Sequence, residues 1–500
     1  MSRKTASTPP APSPQVQSPE NEKLPIATAF AYGFQHVLTM YGGIIAPPLI
    51  VGAAAGLKAQ DVALLITSCL FIGGLATMLQ TLGIKFFGSR LPLVQGVSFA
   101  SVATMLAIVS GGGGIQAVFG AVIVASLIGL VIAPFFARIV HFFPPVVTGV
   151  VITTIGLSLV PVAANWALGG NAKAPGYGDP SNIGLTALTL VIIMALSKLG
   201  SGMVSRLSIL LAIVITTVIA VFLGKADFSQ VGNGPIVAFP EPFHFGLPTF
   251  QPAAIISMVI VILVILTETT ADILAVGEVA GAKIDSKRIA NGLRADMLSS
   301  AVSPVFNSFT QSAFAQNVGL VAVTGIKSRF AVASGGVVLV LLGLLPVLGR
   351  VVAAVPMPVL GGAGIVLFGT VAASGIRTLA KVDYKGNMNL IIVATSIAFG
   401  LIPVVNGSFY SKFPTWFQVI FDSGISSAAL MAVLLNLLFN VFKRGNPEEN
   451  PSVFAAAPTR MIPVVVLDAL EEGDRCENGK ILDRAGQEVP VDTASGAHGH

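Results

Sequence analysis

Residues Phe314–Gly325 read FAQNVGLVAVTG. The stretch is apolar enough for a membrane interior but too short to cross one, because a helix needs about 20 apolar residues to span the hydrocarbon. It carries two adjacent amides, Gln316 and Asn317, followed by Gly319 and Thr324. Unwound backbone at membrane depth is tolerated only where it packs on protein or lines a cavity. The stretch is therefore expected to mark a broken spanning helix, with its amides and glycine at the break and facing a ligand.

The surrounding chain is that of an integral membrane protein. Its 500 residues are 54% apolar and 10% charged, against about 25% charged in a soluble protein. Runs such as VIVASLIGLVIAPFF and VVLVLLGLLPVLG are continuous rather than alternating, so the spans are helices and not barrel strands. Fourteen segments begin near Ala27, Asp61, Leu91, Gly114, Pro144, Ile183, Leu207, Gln251, Lys287, Gln311, Phe330, Met357, Met388 and Gly424. The third, ninth and tenth are weak as full spans.

Charge sets the expected orientation, since cytoplasmic loops carry an excess of Lys and Arg. With the N-terminus cytoplasmic, the inward loops and the end of the last span hold fifteen cations: Lys85, Arg90, Arg138, Lys198, Arg206, Lys283, Lys287, Arg288, Lys327, Arg329, Arg377, Lys381, Lys385, Lys443 and Arg444. The outward loops hold five, Lys58, Lys173, Lys225, Arg350 and Lys412. Fourteen helices with both termini cytoplasmic satisfy this asymmetry. The start lacks a cleavable signal pattern and is Pro- and Ser-rich, which predicts a disordered cytoplasmic arm over residues 1–24. Cys69 in a helix and Cys476 in the tail are expected as free thiols. The tail, residues 444–500, is too short for a soluble domain with a sizeable core, although MIPVVVLDAL could form one strand or helix.

The quoted stretch has an internal echo. VQGVSFASV, Val94 to Val102, aligns with AQNVGLVAV, Ala315 to Val323. The first lies in the third segment and the second in the tenth. An offset of seven spans makes the copies enter from opposite sides, which is the pattern of two inverted seven-span repeats with a substrate site between them. The positive ends of the half-helices would point at that site.

Four ionisable side chains interrupt apolar segments: His36, Glu268, Asp272 and Asp296. Each charge near the bilayer centre costs on the order of 2.5–3.5 kcal/mol, so each needs a cavity or a partner. Glu268 and Asp272 stand four apart on one helix face. Two carboxylates that close in low dielectric cannot both ionise cheaply, which suits proton uptake. Asp272 and Asp296 can also be read as hydrogen-bonded locks, and His36 as polar glue between helices. Trp166 and Trp416 fall in expected outward loops, where an interfacial aromatic belt accounts for them. SGGGG, Ser110 to Gly114, reads as a flexible turn. No catalytic constellation, metal-ligand spacing, phosphate-binding glycine loop or nucleotide-binding domain is legible, so neither an enzyme nor an ATP-driven pump is expected, and no cofactor.

These residues resemble the nucleobase–ascorbate transporter family, also called nucleobase:cation symporter-2. The family motif [Gln/Glu/Pro]-Asn-x-Gly-x-x-x-x-Thr-[Arg/Lys/Gly] is matched by Gln316-Asn317-Val318-Gly319 with Thr324-Gly325. Its Gln-His pair is matched by Gln35-His36, its Glu-x-x-x-Asp by Glu268 and Asp272, and its Ala-Asp by Ala295-Asp296. The resemblance covers about residues 25 to 445.

The resemblance implies an all-α polytopic fold of fourteen spans in 7+7 inverted repeats, with short paired strands in spans three and ten. It implies a core domain from residues 25–136 and 225–355, and a gate domain from residues 137–224 and 356–443 that often dimerises. By position, Glu268 and Gln316 would hydrogen-bond a purine. Phe99 and Ala315 would offer backbone groups beside it. His36, Asp272, Asp296 and Asn317 would serve proton coupling and affinity, and Asn317 and Gly319 would shape the break. The protein would import a purine across a bacterial inner membrane together with a proton, as a homodimer in the lipid bilayer, without nucleic acid. Gln316 rather than Glu favours purines over uracil. Ser98 is small where some xanthine-specific members carry Asn, which leaves room at the five-membered ring and favours uric acid, with xanthine close behind. An anion transporter or exchanger on the same scaffold is the alternative. Its relatives usually carry a longer C-terminal domain, and an acidic pair at the site would repel an anion. A purine sensor that does not transport is a third reading.

Overall fold

The computed structural model describes residues 18–136, 144–229, 231–385 and 388–442, together with the backbone of residues 475–477, 480–482 and 488–489. Arg138, Lys443, Arg444, the segment MIPVVVLDAL, the Cys476 side chain and the arm before residue 18 lie outside the described residues. Residues 1–450 and 451–500 form two separate units.

The first unit is mostly helical, because apolar runs in lipid must satisfy their own backbone polar groups. The first two helices are α1 (Ile26–Ala54) and α2 (Ala59–Leu82). A short strand β1 (Gln95–Val97) then leads into α3 (Val102–Ile108), and α4 (Gly114–Ile132) follows. Next come α5 (Pro145–Ala167), α6 (Pro180–Leu199), α7 (Ser208–Phe222), α8 (Pro252–Ala280) and α9 (Ser286–Val302). A second strand β2 (Gln311–Ala313) leads into α10 (Ala315–Thr324). The unit ends with α11 (Arg329–Gly343), α12 (Pro346–Ala353), α13 (Met357–Leu379), α14 (Met388–Val405), α15 (Thr415–Phe421) and α16 (Gly424–Asn436). Proline opens α5, α6 and α8, where its missing N–H costs nothing.

Among the described residues, nine helices are long and apolar enough to cross a membrane, counting the α3–α4 segment as one. The pair α11 and α12, bent by 79°, makes a tenth if taken together. The turn between α3 and α4 requires glycine. Gly112 and Gly114 have φ of +84° and +64°, a region other residues enter at a cost.

Strands β1 and β2 pair antiparallel, with Gln95 opposite Ala313, Gly96 opposite Ser312 and Val97 opposite Gln311. Each strand is pinned at its first residue by a hydroxyl from the preceding helix. Thr77 Oγ1 accepts from Gln95 N at 2.9 Å, and its own proton is shared between Gly73 O at 2.8 Å and Gln95 O at 3.3 Å. Ser300 Oγ accepts from Gln311 N at 2.8 Å and donates to Gln311 O at 3.3 Å. The two clips are alike, so the counterpart of Gln95 in the structure is Gln311 and not Gln316. The alignment of Val94–Val102 with Ala315–Val323 is thereby corrected. Both stretches contain a glutamine among small apolar residues, and composition alone cannot set the register.

The helices pack in two sets. In one, α11 lies on α1 and α2, while α4 lies on α8 and α9. In the other, α13 lies on α5 and α6, while α16 lies on α14 and α5. The sets meet where α8 and α3 touch α15 and α16, and where α1 touches α7.

Two further expectations change. Trp166 is not a belt residue at the membrane surface. It lies within α5, 3% exposed, with its ring 6.3 Å from that of Phe368 on α13. α5 runs further than hydropathy suggested, and its end is covered by the neighbouring helix. Trp416 is 58% exposed. The end of the N-terminal arm is also ordered. Pro19–Asn21 form a 3₁₀ turn. Glu20 there is buried and paired with Arg288 at 3.1 Å, while Asn21 Oδ1 accepts from Arg329 Nε at 2.8 Å.

In the second unit, β3 (Arg475–Glu477), β4 (Lys480–Leu482) and β5 (Glu488–Val489) form an antiparallel sheet in that order.

Candidate functional site

The break expected in FAQNVGLVAVTG is present, but one step earlier. Phe314 carries the extended backbone between β2 and α10, with φ −103° and ψ 102°. Gln316, Asn317 and Gly319 all lie inside α10, so the glycine does not make the break. A Cβ on Gly319 would meet nothing within 4 Å, so the residue lies on an open helix face. Phe314 is held because its ring enters a slot between two glycines. A Cβ on Gly43 or on Gly96 would come within 2.7 Å of the ring.

The exposed face of α10 presents Ala315, Gln316 and Gly319. The first N–H groups of any helix lack intrahelical partners, so the Ala315 end offers donors as well as the Gln316 amide. α8 packs against α10 and brings Glu268, which is partly exposed. Among the described residues, neither Glu268 nor Gln316 has a side-chain hydrogen-bond partner. An acceptor and a donor–acceptor amide therefore stand free on adjoining helices. Asp272, one turn along α8 from Glu268, is 8% exposed, and its Oδ2 has no partner.

The remaining nominated residues are engaged with protein. Asn317 Nδ2 donates to the carbonyl of His36 at 3.1 Å and lies 3.0 Å from His36 Nδ1. Both residues are buried, and the contact ties α1 to α10. Asp296 is 1% exposed. Its Oδ2 accepts from Thr269 Oγ1 at 2.6 Å, and its Oδ1 accepts from Gln80 Nε2 at 3.4 Å. It joins α9 to α8 and α2.

Ser98 is buried as the cap of the 3₁₀ turn Phe99–Ser101. Its hydroxyl accepts from Ala100 N at 3.3 Å, so it is turned to backbone. Phe99 is partly exposed and meets the Phe368 ring edge-on at 6.1 Å, from the opposite helix set.

Sequence reasoning missed a cluster of hydroxyls between the two sets. Thr104 on α3 lies 2.8 Å from Ser423 and 3.3 Å from Ser426, which lies 3.1 Å from Ser257 on α8. All four are fully buried. A cavity of about 460 Å³ lies beside this cluster. Its lining includes Ala103, Ser110, Ser158, Gln418, Asp422 and Gly424.

A family model described as "Permease family" matches residues 27–407. The chain belongs to the nucleobase–ascorbate transporter family. This permease is a transmembrane transporter and not an enzyme. It is 41% identical over 414 residues to the uric acid transporter UacT of Escherichia coli (strain K12), covering 82% of this chain and 86% of that one. It is 39% identical over 427 residues to a xanthine permease of Bacillus subtilis (strain 168), covering 85% and 97%. In fold, the permease is similar to the transmembrane domain of the cyanobacterial bicarbonate transporter BicA, with TM-score 0.56 and 17% identity, covering 83% of this chain and all of that one. SLC26A9 is similar at TM-score 0.56 and 13% identity, covering 83% and 66%.

Proposed function

We propose that this permease imports a purine, uric acid foremost and xanthine close behind, together with a proton across a bacterial inner membrane. The observation that carries the reading is the presence of two unpartnered groups, the Glu268 carboxyl and the Gln316 amide, on the packed helices α8 and α10. A carboxylate accepts from ring N–H, and an amide both donates and accepts, which matches the edge of a purine. The names of the uric acid and xanthine relatives support the substrate class. Asp272, one helical turn from Glu268, supports a proton as the coupling ion, because two neighbouring carboxylates in low dielectric favour holding a proton between them.

The fold reading is fourteen spans in two inverted halves, with both termini cytoplasmic. The matching Thr77 and Ser300 clips support the inversion. The two packing sets support a core domain, residues 25–136 and 225–355, and a gate domain, residues 137–224 and 356–443. On this reading the face of α10 opens toward the cytoplasm and the Thr104–Ser423 cluster closes the outer side. A homodimer is part of the proposal. The likeness to BicA is a likeness of fold, and the Glu268–Asp272 pair disfavours an inorganic anion at this site.

The test is uptake of radiolabelled uric acid and xanthine by cells making the protein, with and without a protonophore, alongside Glu268→Gln. Uptake lost with the proton gradient and with Glu268→Gln supports the proposal. Membrane-inserted protein that moves neither purine sinks it.

A further inference from the structure

Glu268 and Gln316 lie on different helices, and a rigid planar ligand touching both needs their separation held. Neither side chain is itself tied to protein. α9 ties their backbones together, alongside the direct packing of α8 on α10 and a hydrogen bond from Ala313 N of β2 to Thr269 Oγ1 at 3.5 Å. Asp296 and Ser300 stand four apart on that helix, and so on one face. Asp296 accepts the Thr269 hydroxyl at 2.6 Å, and Thr269 is the residue after Glu268. Ser300 grips both the N–H and the carbonyl of Gln311, at 2.8 and 3.3 Å, and Gln311 opens the strand that runs into Gln316. Gln80 braces Asp296 from α2 and is itself fixed, its Oε1 accepting from Ser89 N at 3.2 Å. Thr269, Ser300 and Gln80 are fully buried, so none of them reaches a ligand.

We infer that α9 acts as a ruler setting the distance between Glu268 and Gln316, with Thr269 and Ser300 as its two joints. The inference rests on the substrate reading above. Both are positioning residues, acting through the groups that face the purine. Loss of either joint frees one side of the site. The ligand must then order it on binding, and a loosened pair of contacts discriminates poorly between purines differing at the five-membered ring. Asp296 on this account serves as a lock and does not carry the coupled proton.

The test measures KM and maximal rate for uric acid and xanthine in Thr269→Val, Thr269→Ser and Ser300→Ala, with membrane abundance determined for each. Thr269→Val keeps the shape of the side chain and removes the hydroxyl. It is expected to raise KM by roughly fivefold, the effect of losing one buried hydrogen bond, and to bring the KM values of the two purines together. Thr269→Ser is expected to restore both. Ser300→Ala is expected to act in the same direction and serves if Thr269→Val fails to insert. Normal KM and normal selectivity in an inserted Thr269→Val or Ser300→Ala overturn the inference, as does a loss confined to maximal rate. A wild-type protein that moves neither purine would instead sink the functional reading. Wild-type transport beside unaltered joint variants sinks the ruler alone.

Discussion

The hydroxyl of Thr104 lies 2.8 Å from that of Ser423, with both side chains fully buried between the two helix sets. Ser426 and Ser257 extend the contact to α8 at 3.3 and 3.1 Å. A neutral buried hydrogen bond contributes about 1 kcal/mol, a factor of roughly five in an equilibrium. Thr104→Val and Ser426→Ala are expected to shift the permease toward the conformation open on the cavity side. The readout is labelling of a cysteine introduced at Ala315 by a membrane-impermeant maleimide added outside intact cells. Several-fold faster labelling is expected in each variant, and an unchanged rate in both would rule out a latch.

The Phe314 ring fills the slot between Gly43 and Gly96, and a Cβ on Gly96 would stand 2.7 Å from it. Gly96→Ala is expected to push the ring away, displace the start of α10 and abolish most uptake, at an overpacking cost of about 1–3 kcal/mol. Phe314→Leu in the same chain is expected to return part of the activity. A double variant no better than Gly96→Ala would place the damage elsewhere.

Arg288 holds the arm through Glu20 at 3.1 Å, and it also donates to the carbonyls of Ser89, Arg90 and Lys283 at 2.7, 2.9 and 2.9 Å. Glu20 is 3% exposed. Removing its partner would leave a buried carboxylate unpaired, so Arg288→Gln is expected to cost about 2–3 kcal/mol. Glu20→Gln is expected to cost less, because the guanidinium left behind is partly exposed and still donates to three carbonyls. Thermal unfolding of the purified variants in detergent should rank them in that order.

His244 bridges two carboxylates, with Nδ1 2.9 Å from Glu241 and Nε2 3.3 Å from Asp61. It lies in the connection between α7 and α8, outside the spans. The hydrogen bond to Glu241 leads in raising its pKa above the usual 6.5, and Asp61 adds to it. A raised pKa in the folded state means stability that is present in full below about pH 6.5 and lost as pH rises through the folded value. Thermal stability is therefore expected to fall on going from pH 6 to pH 8, and His244→Gln is expected to flatten that fall. An equal slope in both proteins would remove the bridge as its source.

The candidate residues stood out in the sequence for a reason that also limits the reading. Glu268, Asp272, Asp296 and His36 stand out because a titratable group in an apolar run is costly and needs a purpose. The same logic could not say which purpose. Asp296 reads in sequence like Glu268, yet it is enclosed by Thr269 and Gln80 while Glu268 remains free. Gly319 looked like a helix breaker, and the break falls at Phe314, whose ring only the tertiary slot could immobilise.

The hydroxyls were silent altogether. Ser and Thr are cheap in membrane helices because they can bond the carbonyl one turn back, as Thr81 and Thr154 do here at 2.7 and 2.9 Å. Nothing in the chain distinguishes those from Thr77, Thr104, Thr269 and Ser300, whose bonds cross to another element.

Composition and pattern were enough for the membrane, the helices, the cationic asymmetry and the family motif, since each depends on transfer energies and spacing along one segment. The pairing of Gln95 with Ala313 and the contact between Thr104 and Ser423 join residues hundreds of positions apart, and the α9 joints link separate elements 27 and 11 positions apart. Those depended on which helix faces met, and that is settled by packing the whole chain at once.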